Sequence, residues 1–148
     1  MIAIGSDHGG YQLKNQIVEI LKNKGYEVKD FGTYSSASVD YSDLALVVAE
    51  SIKSGECQKG IVICGTGIGI SIAANKVPGI RAALCTDSCM ARLSREHNDA
   101  NILALGARII GIELAVDITD TWLTTDFSGG RHKRRIDKIS EIESKYLK

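Results

Sequence analysis

The 148-residue chain carries 18 basic and 18 acidic side chains and hence no formal net charge. That balance excludes the overall field that holds a protein on nucleic acid or an anionic membrane, and the length suits a single domain, 1–148, with one core. No run of about 18 apolar residues occurs and the opening MIAIGSDHGG lacks a basic segment followed by an apolar stretch, so a cytoplasmic, unexported protein is expected.

In chain order, short β-rich runs alternate with helical patterns. Ile2-Ala3-Ile4 reads as a first strand, and Tyr11 to Lys24 as a helix with Leu13, Ile17, Ile20 and Leu21 at helical spacing, closed by Gly25. Tyr26 to Phe31 is a second strand and Tyr41 to Ser54 a second helix. Gly60 to Cys64 is short and continuously apolar, as a parallel strand buried on both faces should be. A helix is predicted from about Ile70 to Asn75, a turn at Pro78-Gly79, a strand over Arg81–Leu84 and a helix over Ser88–Glu96. Asn101–Leu105 makes a fifth strand and Gly111–Leu123 a fifth helix with Trp122 as a core candidate. Ser128-Gly129-Gly130 then breaks the pattern before a basic cluster and a last amphipathic helix carrying Ile136, Ile139, Ile142 and Tyr146. This alternation predicts an α/β fold, a five-stranded parallel sheet covered on both faces, with an appended C-terminal helix of the kind that docks on a neighbouring subunit.

Cys57, Cys64, Cys85 and Cys89 are read as reduced thiols, since a core of this size needs no disulfide staples. Their spacings lack the paired C-x2-C knuckles of structural zinc sites, so no metal is expected.

Ligands of an open parallel sheet bind beyond the carboxyl ends of its strands. The segments there are Ser6 to Gly10, Cys64 to Gly69, Thr86-Asp87 and Gly106 to Arg108. In Cys64-Gly-Thr-Gly-Ile-Gly69 the alternate glycines let successive amides converge as an anion-binding nest at a helix start. The spacing is not that of a dinucleotide loop, which would also follow the first strand. Cys64 reads either as a small buried hydrophobe or as a reactive thiol facing a helix N-terminus, where thiolate forms more readily; its place favours the second. Asp7 is either a helix cap or a catalytic carboxylate, and His8 beside it is a phosphate donor candidate. Arg131 and Arg135 share a helical face and suit a bidentate clamp on one phosphate; without interleaved aromatics, the cluster does not read as a nucleic-acid site. His97-Asn98 is expected near the ligand edge or at a subunit interface.

Together GSDHGG (Gly5–Gly10), VDYSD (Val39–Asp43), CGTGIGISIAANKVPGIRAA (Cys64–Ala83), REHNDANILALGARIIG (Arg95–Gly111) and GGRHKRR (Gly129–Arg135) resemble the type B ribose-5-phosphate isomerases and their allose- and galactose-6-phosphate relatives. The resemblance implies a Rossmann-like three-layer α/β/α subunit. It further implies a homodimer or homotetramer with active sites shared between subunits, a small sugar phosphate as substrate, and no metal or organic cofactor. By that resemblance Cys64 is the base that moves a proton between carbons 1 and 2 through a cis-enediolate. Thr66 and the loop positions Gly65, Gly67, Ile68 and Gly69 would hold the substrate oxygens. Asp7 and His97 would open the sugar ring, Asn98 would contact a hydroxyl, and His8, Arg108, Arg131 and Arg135 would bind phosphate. The alternatives are a six-carbon phosphate isomerase with the same mechanism, or a non-catalytic sugar-phosphate sensor.

Overall fold

Five runs too short for stable helices, built largely of Ile, Val, Leu and Ala, pair in parallel as one sheet in the computed structural model, which describes residues 1–147. Lys148, the last residue of the expected domain, lies outside them. In chain order the elements are β1 (Ile2–Ser6), α1 (Tyr11–Asn23), β2 (Val28–Asp30), α2 (Tyr41–Lys53), β3 (Lys59–Cys64) and α3 (Ile68–Ala74). They continue with β4 (Ala82–Leu84), α4 (Ser88–Glu96), β5 (Ile102–Gly106), α5 (Ile112–Thr124) and α6 (Arg131–Tyr146). The strand order is β2-β1-β3-β5-β4.

That order and the right-handedness of parallel crossovers fix which face each helix covers. The steps β1 to β2 and β4 to β5 run one way across the sheet, and β2 to β3 and β3 to β4 run the other. Thus α1, α4 and α5 pack on one face around Ile4, Ile61, Ile63, Leu103, Leu105 and the fully buried Trp122. On the other face α2 and α3 pack over Ala3, Val62, Cys64, Ile102 and Ala104. The two-residue alternation of strand side chains divides the strands between these cores, and it turns Cys64 toward the α2–α3 face.

The chain leaves β1 toward one side and β3 toward the other, so a crevice opens between their carboxyl ends. Register brings the relevant ends level: Ser6 lies opposite Ile63, and Cys64 opposite Gly106.

The expected three-layer architecture holds, with local differences. β2 and β4 are three-residue strands, shorter than the runs that predict them, because each is an edge with one neighbour. α3 begins at Ile68, two residues early: Gly67 makes the turn itself at φ +81°, and the Thr66 hydroxyl accepts the Ile68 N–H at 3.2 Å. At Ala82 the outer edge of β4 is capped by one side chain. The Asn75 amide donates to the Ala82 carbonyl at 3.0 Å and accepts the Ala82 N–H at 2.8 Å, as a neighbouring strand would.

α6 stands partly off the body. Ile136 is buried, whereas Ile139, Ile142 and Tyr146 are 41%, 61% and 74% exposed. Between this helix and the β4 edge runs a groove of about 570 Å³, lined by Ile80, Ala82, Ile139, Ile142 and Tyr146 among others. Among the described residues no helix is long and apolar enough to cross a membrane.

Candidate active site

The loop after β3 is shaped by close packing. A Cβ at Gly67 would lie 2.5 Å from Leu84 Cδ1 and 2.9 Å from the Leu105 carbonyl carbon, so only glycine makes this turn. The turn aims the Gly67 N–H at the Cys64 sulfur, 3.1 Å away. Cys64 is 4% exposed, and its carbonyl accepts the Ala107 N–H at 2.9 Å, which fastens the strand end to the loop after β5. The sulfur therefore sits on the floor of the loop with an amide directed at it, a contact that a thiolate accepts. Of the four loop positions expected to hold substrate oxygens, Gly67 thus gives its amide to the sulfur and Ile68 gives its own to the Thr66 hydroxyl. The Gly69 amide lies in the first turn of α3, where no intrahelical acceptor exists.

The loop after β1 leans on this one. Asp7 is buried, and its Oδ1 accepts the Gly10 N–H at 3.2 Å. A Cβ on Gly9 would lie 3.2 Å from that oxygen and 3.4 Å from the Gly65 nitrogen, so the two turns nearly touch. His8 is exposed, and its Nδ1 accepts the Val39 N–H at 3.2 Å. An imidazole that accepts at Nδ1 carries its neutral-state proton on Nε2, ready to donate outward. The Arg108 side chain lies across Gly65, with Nε and a terminal nitrogen each 3.3 Å from where a Cβ would stand. Asp7, His8, Cys64, Gly65, Thr66, Gly67, Ile68, Gly69 and Arg108 are thus one cluster at the carboxyl edge between β1, β3 and β5. Ile68, half exposed, is at its rim.

Two participants went unassigned in the sequence. The Tyr41 ring packs on Gly69, with Cε1 and Cζ 2.7 Å from a notional Cβ, and Val39 fixes His8 through its amide. The signal was the Val39–Asp43 motif, whose tyrosine opens α2 over the crevice.

His97, Asn98, Arg131 and Arg135 lie elsewhere. α4 runs back from the carboxyl edge, so the loop between it and β5 is at the amino edge, where the Gly60 N–H meets the Asn101 carbonyl at 2.9 Å. Gly60 lies four residue steps before Cys64 in β3, about 13 Å along the strand. Of the two places expected for His97-Asn98, the ligand edge and a subunit interface, the first is not where this subunit carries them: they lie at its opposite edge. His97, Arg131 and Arg135 gather around His132, with Asn98 next to His97 in the chain: the His97 and His132 rings stack with centroids 4.2 Å apart, planes within 13°. Loss of solvent, then the neighbouring His97, Arg131 and Arg135, hold His132 below the ordinary imidazole pKa, while Glu96 opposes them. Burial pushes the Cys85 thiol up to about 11, which marks it as packing. Among the described residues no three His, Cys, Asp or Glu side chains are grouped to hold a metal ion.

The comparisons agree with the expected family. The family model described as Ribose/Galactose Isomerase matches residues 2–139. The ribose-5-phosphate isomerase B of Escherichia coli is 51% identical over 144 residues, 97% of each chain. The solved ribose-5-phosphate isomerase B of Clostridium thermocellum superposes with a TM-score of 0.98 at 69% identity, covering 99% of each chain. That of Mycoplasma genitalium, solved with bound ribulose-5-phosphate, gives 0.92 at 46% identity over 97% of this chain and 95% of its own.

Proposed function

The chain belongs to the ribose/galactose isomerase family, and from that premise we propose that it is an isomerase interconverting ribose 5-phosphate and ribulose 5-phosphate in the cytoplasm, with Cys64 as the base. The observation that carries this reading is the Gly67 N–H directed at the Cys64 sulfur, 3.1 Å away, on the floor of the crevice between β1 and β3.

In this reading the ring is opened first, with Asp7 and His97 moving the proton between the anomeric hydroxyl and the ring oxygen. Cys64 then takes the proton from carbon 2 of the open-chain aldose. The electron pair shifts toward carbon 1, giving a cis-enediolate whose two oxygens rest against Thr66 and the Gly65 and Gly69 amides. Such preorganised donors carry much of the acceleration of this kind of step. Cys64 returns the proton to carbon 1, and the hydroxyl proton of oxygen 2 passes to oxygen 1 through the Thr66 hydroxyl, so that oxygen 2 becomes the ketone carbonyl and oxygen 1 ends as a hydroxyl. His8, through Nε2, and Arg108, Arg131 and Arg135 hold the phosphate, and Asn98 meets a sugar hydroxyl.

Since the two clusters lie at opposite sheet edges, one subunit cannot close both on a single sugar. We therefore infer a homodimer, or a dimer of dimers, in which His97, Asn98, Arg131 and Arg135 of one protomer complete the Cys64 crevice of its partner. The unfilled groove beside α6 fits a helix that packs against a second copy.

The test is conversion of ribose 5-phosphate by the purified protein beside Cys64→Ala and Cys64→Ser. Both variants should lose about 10³-fold or more in kcat, the usual range for a general base, while still binding a phosphorylated sugar acid. Active variants would make Cys64 a packing residue. An inert parent would send the search to six-carbon phosphates, and binding without any turnover would favour a sensor.

A further inference from the structure

Asp99 is the one non-glycine residue among those described with a positive φ, +45°. Aspartate tolerates this left-handed conformation better than most residues, yet it remains uncommon and is sustained only by its surroundings. Here two guanidinium groups supply them. Arg95 donates to Asp99 Oδ1 at 2.9 Å, and Arg81 lies 3.6 Å from Oδ2. Arg81 also grips the backbone on both sides of the joint, donating to the Asn98 carbonyl at 2.9 Å and to the Asp99 carbonyl at 3.0 and 3.1 Å.

Arg95 is 6% exposed, unusual burial for an arginine, and two further hydrogen bonds from it fasten two segments together. It donates to the Ala100 carbonyl at 2.7 Å and to the Thr125 carbonyl at 3.1 Å, just past the end of α5. Its guanidinium carbon is 5.9 Å from the ring centroid of Trp122, which anchors it to the core. Next to it, the Ser128 N–H donates to the Glu96 carbonyl at 3.1 Å. The loop carrying His97-Asn98 and the segment leading to Arg131 and Arg135 are therefore tied at both ends of one short bridge, and the His97–His132 stack spans its top.

We propose that Asp99, held between Arg81 and Arg95, is the positioning residue of this half-site: it sets the direction of His97 and Asn98 and locks them to the segment that presents Arg131 and Arg135. The proposal rests on the isomerase reading for its consequence in catalysis, though the positioning itself does not. None of the three residues need touch the sugar. Their contribution is geometric, because displacement of a catalytic group by about 1 Å costs on the order of a hundredfold in rate.

Asp99→Gly separates this role from that of a turn residue. Glycine relieves the left-handed backbone and removes the carboxylate, so a mere turn would keep its activity and gain stability. Asp99→Asn keeps the shape and the tolerance of positive φ but loses the charge, and it guards against a failure of the glycine variant to fold. Three readings are taken on the full-length protein: melting temperature, kcat and KM on ribose 5-phosphate, and the ring-proton NMR shifts of His97 and His132. We expect folded variants whose kcat/KM falls between about tenfold and a hundredfold, with His97 and His132 signals displaced from their stacked values. Parental kcat/KM together with unmoved ring signals in a folded Asp99→Gly or Asp99→Asn would overturn the proposal. Should the parent itself be inert on ribose 5-phosphate while the ring signals move in the variants, the isomerase reading fails and the positioning role stands.

Discussion

Residues 64–69 and residues 128–130 are both glycine-rich and both run into a helix, but they are built on different constraints. In the first, Gly67 is left-handed and also crowded, with Leu84 and Leu105 where a side chain would begin. In the second, Gly129 and Gly130 are equally left-handed, at φ +67° and +57°, yet a Cβ on either would meet nothing within 4 Å. One loop is fixed by space and direction, the other by direction alone. The first makes a rigid half-site with the sulfur at its floor. The second delivers α6, with Arg131 and Arg135, to the side of the sheet away from Cys64, beside His97.

The most severe test of this division is complementation. Cys64→Ala and His97→Ala should each be nearly inactive alone. After unfolding and refolding an equal mixture, about a quarter of the parental activity should return, because half of randomly formed dimers are mixed and each holds one intact shared site. No recovery would place both clusters in the service of separate subunits and break the comparison.

Next in size, Gly67→Ala should destabilise by about 2–5 kcal/mol, combining the left-handed penalty with forced movement of Leu84. Melting followed by circular dichroism should drop by roughly 10 °C. Gly129→Ala should cost only about 1 kcal/mol and a few degrees, the backbone term without the clash. Equal losses at the two positions would erase the distinction between them.

The smallest effect is one of pH. Folding disfavours the charged form of His132, so as pH falls through its ordinary value of 6.5 the unfolded chain takes up the proton first, and stability declines. The melting temperature of the parent should therefore fall more between pH 7.5 and 5.5 than that of His132→Asn. Equal slopes would remove any charge sensitivity from the His97–His132 stack.

Much of the first half-site was legible because its signals are local. A short apolar strand, a glycine-rich turn and a helix within fifteen residues put Cys64 on a strand end, whatever the rest of the chain does. The second half-site depends on topology. His97-Asn98 follows a helix that has already run back along the sheet, so its distance from Cys64 was available from chain direction, though not from the motif itself. The edge strands were overextended because Tyr26 donates its N–H back to the Leu21 carbonyl of α1, and because Arg81 joins the neighbouring backbone through its carbonyl alone, its N–H going to the Asn101 side chain. Arg95 and Asp99 were passed over within a recognised motif, although their four-residue spacing is that of a helical ion pair. Burial of the arginine, and the use of its other donors across the fold, belongs to tertiary structure alone.

The amide of Asn75 has a bearing on self-association. By occupying both outward backbone groups of Ala82, it blocks the start of the short β4 edge to a strand that might zip onto it. Copies of this chain can then meet through side-chain surfaces, where shape discriminates, and are steered away from open-ended polymerisation of sheets, which backbone alone would permit. A single asparagine thus helps to make any assembly finite, and its loss would be felt first in shelf life and concentration limits, well before turnover.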